Sequence, residues 1–256
     1  MTEVRDIVDL VHSLYPTALA EQWDSVGMIA GSWNWQVRRV LVSVDIDNQV
    51  LDEAIAIGAQ MVISHHPLML PRHSLVSQPY KLKTANRAVC HGIALMNAHT
   101  NADHATNGVS DALAAALGVV DTAPLVPLFD EPGVGVGRIG RLLAPCTVAE
   151  LAQRISASIP NARVRTAGSL EQQVSRVAVC GGSGDAFLGA AAHADVYVTS
   201  DLRHHPVAEH LEAGGCPVIE INHVAAEAQW LPTLAALLAP LGIDVLISKQ
   251  DTAHWN

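Results

Sequence analysis

Aromatic side chains are scarce in this chain, 4% of its 256 residues. A core must therefore be built from Ala, Val, Leu and Ile, and few rings remain as stacking platforms for single-stranded nucleic acid. Basic charge is short as well: 15 Lys and Arg stand against 25 Asp and Glu, a formal charge of −10, with no Lys/Arg run. That balance lacks the phosphate-contacting footprint of a DNA or RNA binder and argues against nucleic acid as a partner. Cys90, Cys146, Cys180 and Cys216 lie far apart and form no C-x-x-C. They read as free thiols, Cys180 at a buried strand end, rather than as a disulfide framework or a thiolate zinc site. No segment supplies the ~20 uninterrupted apolar residues of a membrane span. The opening Met1-Thr2-Glu3-Val4-Arg5-Asp6 carries both signs of charge and no apolar signal core, which points to a cytoplasmic protein with no membrane partner.

Other absences narrow the chemistry. No G-x-S-x-G elbow accompanies Ser110 or another serine, so nucleophilic serine catalysis has no support. Gly181-Gly182-Ser183-Gly184 lacks the G-K-[ST] of a Walker loop and the G-x-G-x-x-G spacing. Placed between an apolar run and an apolar helix, it reads as a tight turn or an anion-binding helix start.

What the chain has in quantity is apolar residues, 50% of the total. Val4, Ile7, Val8, Val11 and Leu14 recur near 3.6 spacing and predict a helix over 3–15 that Pro16 ends. Strands follow over 38–44, 60–63 and 92–98, with helices over 48–58 and 79–91 between them. Ser110 is a candidate cap for a helix over 111–117. This alternation predicts an α/β fold with mostly parallel or mixed sheets covered by helices. Pro124, Pro127 and Pro132 with Gly133, Gly135, Gly137 and Gly140 mark the strongest shift in composition. We place a boundary there: residues 1–125 plus 201–256 form a first lobe carrying most of the candidate ligands, and 126–200 a second. The second lobe holds strands over 138–143, 162–166 and 176–180 and a helix over 147–158; the first resumes with a strand over 217–221, a helix over 223–238 and a strand over 243–248.

At four places a short apolar run ends in histidines and carboxylates: Ser64-His65-His66-Pro67, His99-Thr100-Asn101-Ala102-Asp103, Asp201-Leu202-Arg203-His204-His205 and His223-Val224-Ala225-Ala226-Glu227. Ligands of open α/β sheets sit beyond the carboxyl ends of the strands. Mixed imidazole and carboxylate donors suit zinc, iron, manganese or nickel rather than magnesium or calcium. Neighbours on an extended chain point to opposite sides, so His65 and His66 reach two ions, or one ion and one structural contact, unless they are a surface pair. Asp103 is a ligand, or else a helix-entry or Asx-turn residue, and His99 a ligand or a group that holds one in place. His223 and Glu227, four apart at a helix start, lie on one face, where an imidazole and a bridging carboxylate can converge. This is not the H-E-x-x-H protease pattern. Asp201, His204 and His205 are open to metal, substrate or proton-transfer roles, or to none, and with His99 they are the candidate catalytic residues.

Together these segments resemble one family. Glu21-Gln22-Trp23-Asp24-Ser25-Val26-Gly27-Met28 is similar to its A-E-x-W-D-N-x-G motif, Ser64-His65-His66-Pro67 to its S-H-H-P, and His99 to Asp103 to its H-T-N-x-D. Val177 to Gly184 resembles its V-A-V-C-G-G-S-G, and His223 with Glu227 its late H-x-x-x-E. The family is the NGG-interacting-factor-three-like group, often labelled GTP cyclohydrolase 1 type 2 homologue, and the resemblance spans essentially the whole chain. Ser25 replaces the usual Asn, Ser200 stands in Thr199-Ser200-Asp201 where T-G-D is usual, and Asn222 precedes His223 where Gly is common. The resemblance implies a two-lobed α/β/α architecture, with a dinuclear site at strand C-terminal ends between the lobes, assembled as a toroidal homohexamer. It implies two divalent ions per subunit, held by His65, His66, Asp103, His223 and Glu227. The implied activity is that of a metal-dependent hydrolase acting on a nucleotide or related small molecule. The alternative is a non-catalytic metal-binding scaffold, metal chaperone or regulatory assembly.

Overall fold

The computed structural model describes residues 1–69, 79–128 and 131–255. Along the chain run α1 (Val4–Leu14), β1 (Gly27–Ala30), β2 (Arg39–Ser43), α2 (Asn48–Ala56), β3 (Met61–Ser64), α3 (Pro79–Cys90), β4 (Ala94–Asn97), α4 (Thr100–His104), α5 (Val109–Ala116) and β5 (Val119–Pro127). There follow β6 (Gly135–Thr147), α6 (Val148–Ser158), β7 (Val164–Ala167), β8 (Gln173–Ser183), α7 (Leu188–Ala191), β9 (Val196–Ser200), α8 (His204–Glu212), β10 (Val218–Ile221), α9 (His223–Glu227), α10 (Leu231–Leu238) and β11 (Asp244–Ile247). The fold is mixed α/β with two sheets of parallel and antiparallel strands.

One compact unit holds Met1–Ala105 and Leu231–His254; the other holds Thr106–Trp230. The expected boundaries at 125/126 and 200/201 are therefore corrected to 105/106 and 230/231. The reason is hydrogen bonding: β9 and β10 pair in parallel next to β8, so residues on both sides of 200 share one sheet. His223 and Glu227 accordingly belong to the second unit.

In the first unit the sheet order is β1-β4-β3-β2-β11. The last four are parallel and β1 pairs antiparallel to β4. Strands buried on both faces read as continuous apolar runs, and every residue of β3 and β4 is buried. Leu41, Val62 and Leu95 pack on one side with Val50 and Leu51 of α2 and Ala88 of α3.

In the second unit the order is β5-β6-β8-β9-β10-β7. Alternate residues face alternate sides. Val177, Val179, Val196, Val198, Ile219 and Ile221 pack with Leu113 of α5 and Leu151 and Ile155 of α6. Ala178, Cys180, Tyr197 and Val218 pack with Leu188 of α7 and Val207 of α8. Thr147 caps α6, its hydroxyl accepting from Glu150 N at 3.2 Å while its own N–H donates to Glu150 at 2.8 Å.

Several local expectations change. The Pro/Gly stretch is no linker: Pro124 and Pro127 lie in β5, an edge strand, where a missing N–H is tolerated. Ser110 is not a cap, since α5 starts one residue earlier behind Gly108, and its hydroxyl instead accepts from Gly181 N at 3.3 Å. Asp103 lies in the first turn of α4, which bears out the helix-entry alternative over the Asx turn. Gly181, Gly182 and Ser183 continue β8 instead of opening a helix, which removes the anion-loop reading. The helix over 223–238 is split by a 3-10 turn at Ala228–Trp230. Its whole helical run, His223–Leu241, is long and apolar enough to cross a membrane by length and composition, where none was expected. Within it Glu227, Trp230, Leu231, Leu234 and Leu238 are buried. All four cysteines are free, Cys90 exposed and the others buried. Burial pushes the Cys216 thiol up to about 11.

Candidate metal centre

Register builds the first donor set. Ser43 of β2 pairs with Ser64 of β3, and Ser64 with Asn97 of β4, so these residues form a row at the carboxyl edge of three parallel strands. Two residues further along each strand come Asp45, His66 and His99, at the same level and about one strand spacing apart, ~4.8 Å. The ring centroids agree: His65 lies 5.1 Å from both His66 and His99, and His66 5.5 Å from His99. One ring nitrogen of each of the three lies within 4.8 Å of the others. Because β1 runs antiparallel, its leading segment starts at this same edge and delivers Asp24.

Each imidazole is fixed through Nδ1 by a group that can only accept. His65 Nδ1 donates to the Ala98 carbonyl at 2.9 Å, His66 Nδ1 to Asp45 at 2.7 Å and His99 Nδ1 to Asp24 at 2.9 Å. In the neutral ring that sets the tautomer and leaves the lone pair on Nε2, the state a ligand needs. Asp103 lies beside the set, its carboxylate 3.5 Å from His65 Nε2. Burial works against ionising Asp24. Hydrogen bonds from His99 and Thr100, the charge of His99 and the Ser25 amide outweigh it and hold this carboxyl well below the usual range. The donor set fits a divalent ion of the zinc, iron, manganese or nickel type: three tautomer-locked imidazoles with a carboxylate alongside.

The second unit repeats the device with β8, β9 and β10. Glu220 pairs with Thr199, and Ser200 with Ser183, so the carboxyl ends line up and release Asp201 and His223 side by side. Asp201 sits in the left-handed region at φ 55°, which Asp tolerates better than most residues. His223 Nδ1 contacts Asp201 at 2.7 Å and its Nε2 contacts Glu227 at 2.8 Å, one turn along α9. Glu227 is almost fully buried. Gly182 of β8 makes room for the pair: a Cβ there would lie 2.6 Å from Glu227 Oε1 and 3.5 Å from His223.

The expected residues therefore fall into two groups and a remainder. His65, His66 and Asp103 come together with His99, and His223 comes together with Glu227 and Asp201. His204 and His205 are exposed on α8 with rings 5.1 Å apart, and among the described residues no contact links them to either group. Asp24 and Asp45 were not read as site residues from the sequence, although Asp24 lies inside the quoted tryptophan motif and Asp45 follows a strand end as His65 does.

Residues 2–253 match the family model described as Duf34/NIF3 (NGG1p interacting factor 3). The chain is 38% identical to a Streptomyces coelicolor protein named GTP cyclohydrolase 1 type 2 homolog, covering 100% of this chain and 94% of that protein. A Streptococcus pneumoniae protein of the same name is 30% identical over 98% of both. The crystal structure of a Bacillus cereus protein related to NIF3 matches with a TM-score of 0.91 at 23% identity, over 100% of this chain and 99% of the other, a likeness of fold alone. Staphylococcus aureus protein SA1388 matches with a TM-score of 0.88 at 28% identity and the same coverage.

Proposed function

The chain belongs to the Duf34/NIF3 (NGG1p interacting factor 3) family, and on that footing we propose that it is a cytoplasmic metal-dependent hydrolase acting on a nucleotide or related small molecule. In this reading each subunit holds two divalent ions through His65, His66, Asp103, His223 and Glu227, and six subunits form a ring. The observation that carries it is the trio His65, His66 and His99, each with Nδ1 tied to an acceptor and a ring nitrogen within 4.8 Å of the others. Such locking serves ligation and is more than a surface histidine needs. The hydrolytic half rests on the relatives' name, GTP cyclohydrolase 1 type 2 homolog. When bound, a divalent ion acts as a Lewis acid, acidifying water and polarising a carbonyl, ring carbon or phosphoryl group. His99 shares this locked geometry but stands outside the five proposed ligands; with its Nδ1–H held on Asp24 and no ion on Nε2, it would serve as the proton acceptor.

Elemental analysis and turnover on GTP, measured together, test the proposal. We expect two ions in the wild type, fewer in His65→Ala and His66→Ala, and at most one in Glu227→Gln, with metal-dependent turnover lost in all three. Glu227→Gln keeps volume and helix propensity but removes the charge that would hold two cations near each other. Unchanged stoichiometry in every variant would sink the ligand assignment. Full metal with no turnover on GTP or other nucleotides would favour a metal-holding assembly without catalysis.

A further inference from the structure

Two of the three clustered imidazoles are backed by the same three-group arrangement, built from different elements. Asp24 accepts from His99 Nδ1 on Oδ1, and on Oδ2 from the Thr100 hydroxyl at 2.5 Å and the Thr100 N–H at 3.1 Å. Asp45 accepts from His66 Nδ1 on Oδ1 at 2.7 Å and from the Thr252 hydroxyl on Oδ2 at 2.5 Å. In the first case the threonine is the neighbour of the histidine. In the second it comes from 207 residues along the chain.

The fold explains how Thr252 arrives there. β11 runs parallel to β2, with Ile247 opposite Val42, so the chain leaves β11 at the edge that carries Asp45. Among the described residues after β11, 248–255, there is no regular secondary structure. It is tied down by side chains: Ser248 Oγ donates to Glu53 of α2 at 2.6 Å, Lys249 N donates to the same carboxylate at 3.2 Å, and Ala253 N donates to Asp251 at 3.0 Å. Thr252 is 6% exposed and Ala253 9%.

We propose that Asp45 and Thr252 are positioning residues for His66, and that the strap after β11 is thereby coupled to metal binding. The inference rests on the metal reading above. A carboxylate held at one oxygen can swing; held at both, it fixes the plane and tautomer of the imidazole it accepts from. Second partners of this kind set ligand orientation and basicity. The coupling runs both ways, because linkage between two binding equilibria is reciprocal. A cation drawing density from His66 Nε2 makes Nδ1–H a better donor, which tightens Asp45 and through it Thr252.

Zinc ion alone is the probe. Its affinity is measured by chelator competition for the wild type, Thr252→Val, Thr252→Ser and Asp45→Asn, alongside backbone hydrogen exchange over the strap with and without zinc. Asp45→Asn should bind ~10–100-fold more weakly. Thr252→Val removes the hydroxyl at nearly constant shape and should lose roughly tenfold, the lower end of that range, while Thr252→Ser recovers the wild-type value. Zinc should slow exchange in the strap of the wild type and of Thr252→Ser but not of Thr252→Val. The ¹⁵N signature of His66 should report the Nδ1–H tautomer in wild type and a mixture in Asp45→Asn. A wild type that takes up no zinc overturns this proposal and the metal reading together. Zinc binding that is equal in wild type, Thr252→Val and Asp45→Asn overturns this proposal alone.

Discussion

Gly182 shows how one residue carries both a backbone and a site requirement. Its φ is 69°, in the left-handed region that costs an L-residue ~1–2 kcal/mol. Its missing side chain is also the space that Glu227 Oε1 occupies, 2.6 Å from where a Cβ would stand. Gly182→Ala should therefore lower thermal stability by a few degrees, since ~1 kcal/mol moves the midpoint of a chain this size by ~2–4 °C. It should also push Glu227 off His223 and so cut metal content. Gly189→Ala, with nothing within 4 Å of its Cβ position, is the matched control and should melt at or slightly above wild type. Equal melting and equal metal content in all three proteins would show that the glycine run has no bearing on the pair.

At the scale of elements, what the sequence made legible was what periodicity and strand ends can encode. β2, β3 and β4 were readable from their apolar runs, and His65, His66, Asp103, His223 and Glu227 from their places just beyond such runs. β1 and β5 were not, because β1 opens on a glycine and is buried only at that residue, unlike the fully buried β3 and β4, and β5 carries two prolines that read as a break. The roles of Asp24 and Asp45 were hidden for another reason: their partners lie 75 and 21 residues away and meet only through strand register. The same holds for Arg138, which read as a strand residue and is in fact buried. It donates to both oxygens of Asp111 on α5 and to the carbonyls of Gly135 and Gly137, so it fastens α5 to β6. Removing its partner would strand a buried cation, and Asp111→Ala should cost about 3 kcal/mol, the lower end for breaking a buried pair because Asp111 keeps some exposure. Urea unfolding checks this; a loss under ~0.5 kcal/mol would place the pair with weak surface bridges.

For the whole molecule, the ring of six in the proposed reading makes a demand on surfaces that a single subunit leaves uncovered. β11 is an edge strand, and its Leu246 and Ile247 are 41% and 38% exposed. Leu143 and Trp255 are 75% and 80% exposed. Scattered apolar residues are ordinary on a monomer. Natural proteins guard edge strands with charge, proline or a cover; β11 carries its charge at its first residue, Asp244, paired with Arg39 at 3.0 Å, and the following Val245-Leu246-Ile247 offers neither charge nor proline. Self-association would supply the cover. Light scattering on the purified chain at micromolar concentration should thus give about six times the 27.1 kDa subunit mass, and the assembly should persist in moderate salt, since apolar burial is not screened as exposed ion pairs are. A monomer at that concentration would remove the ring from the proposal. The metal ligands would then have to be tested on the single subunit.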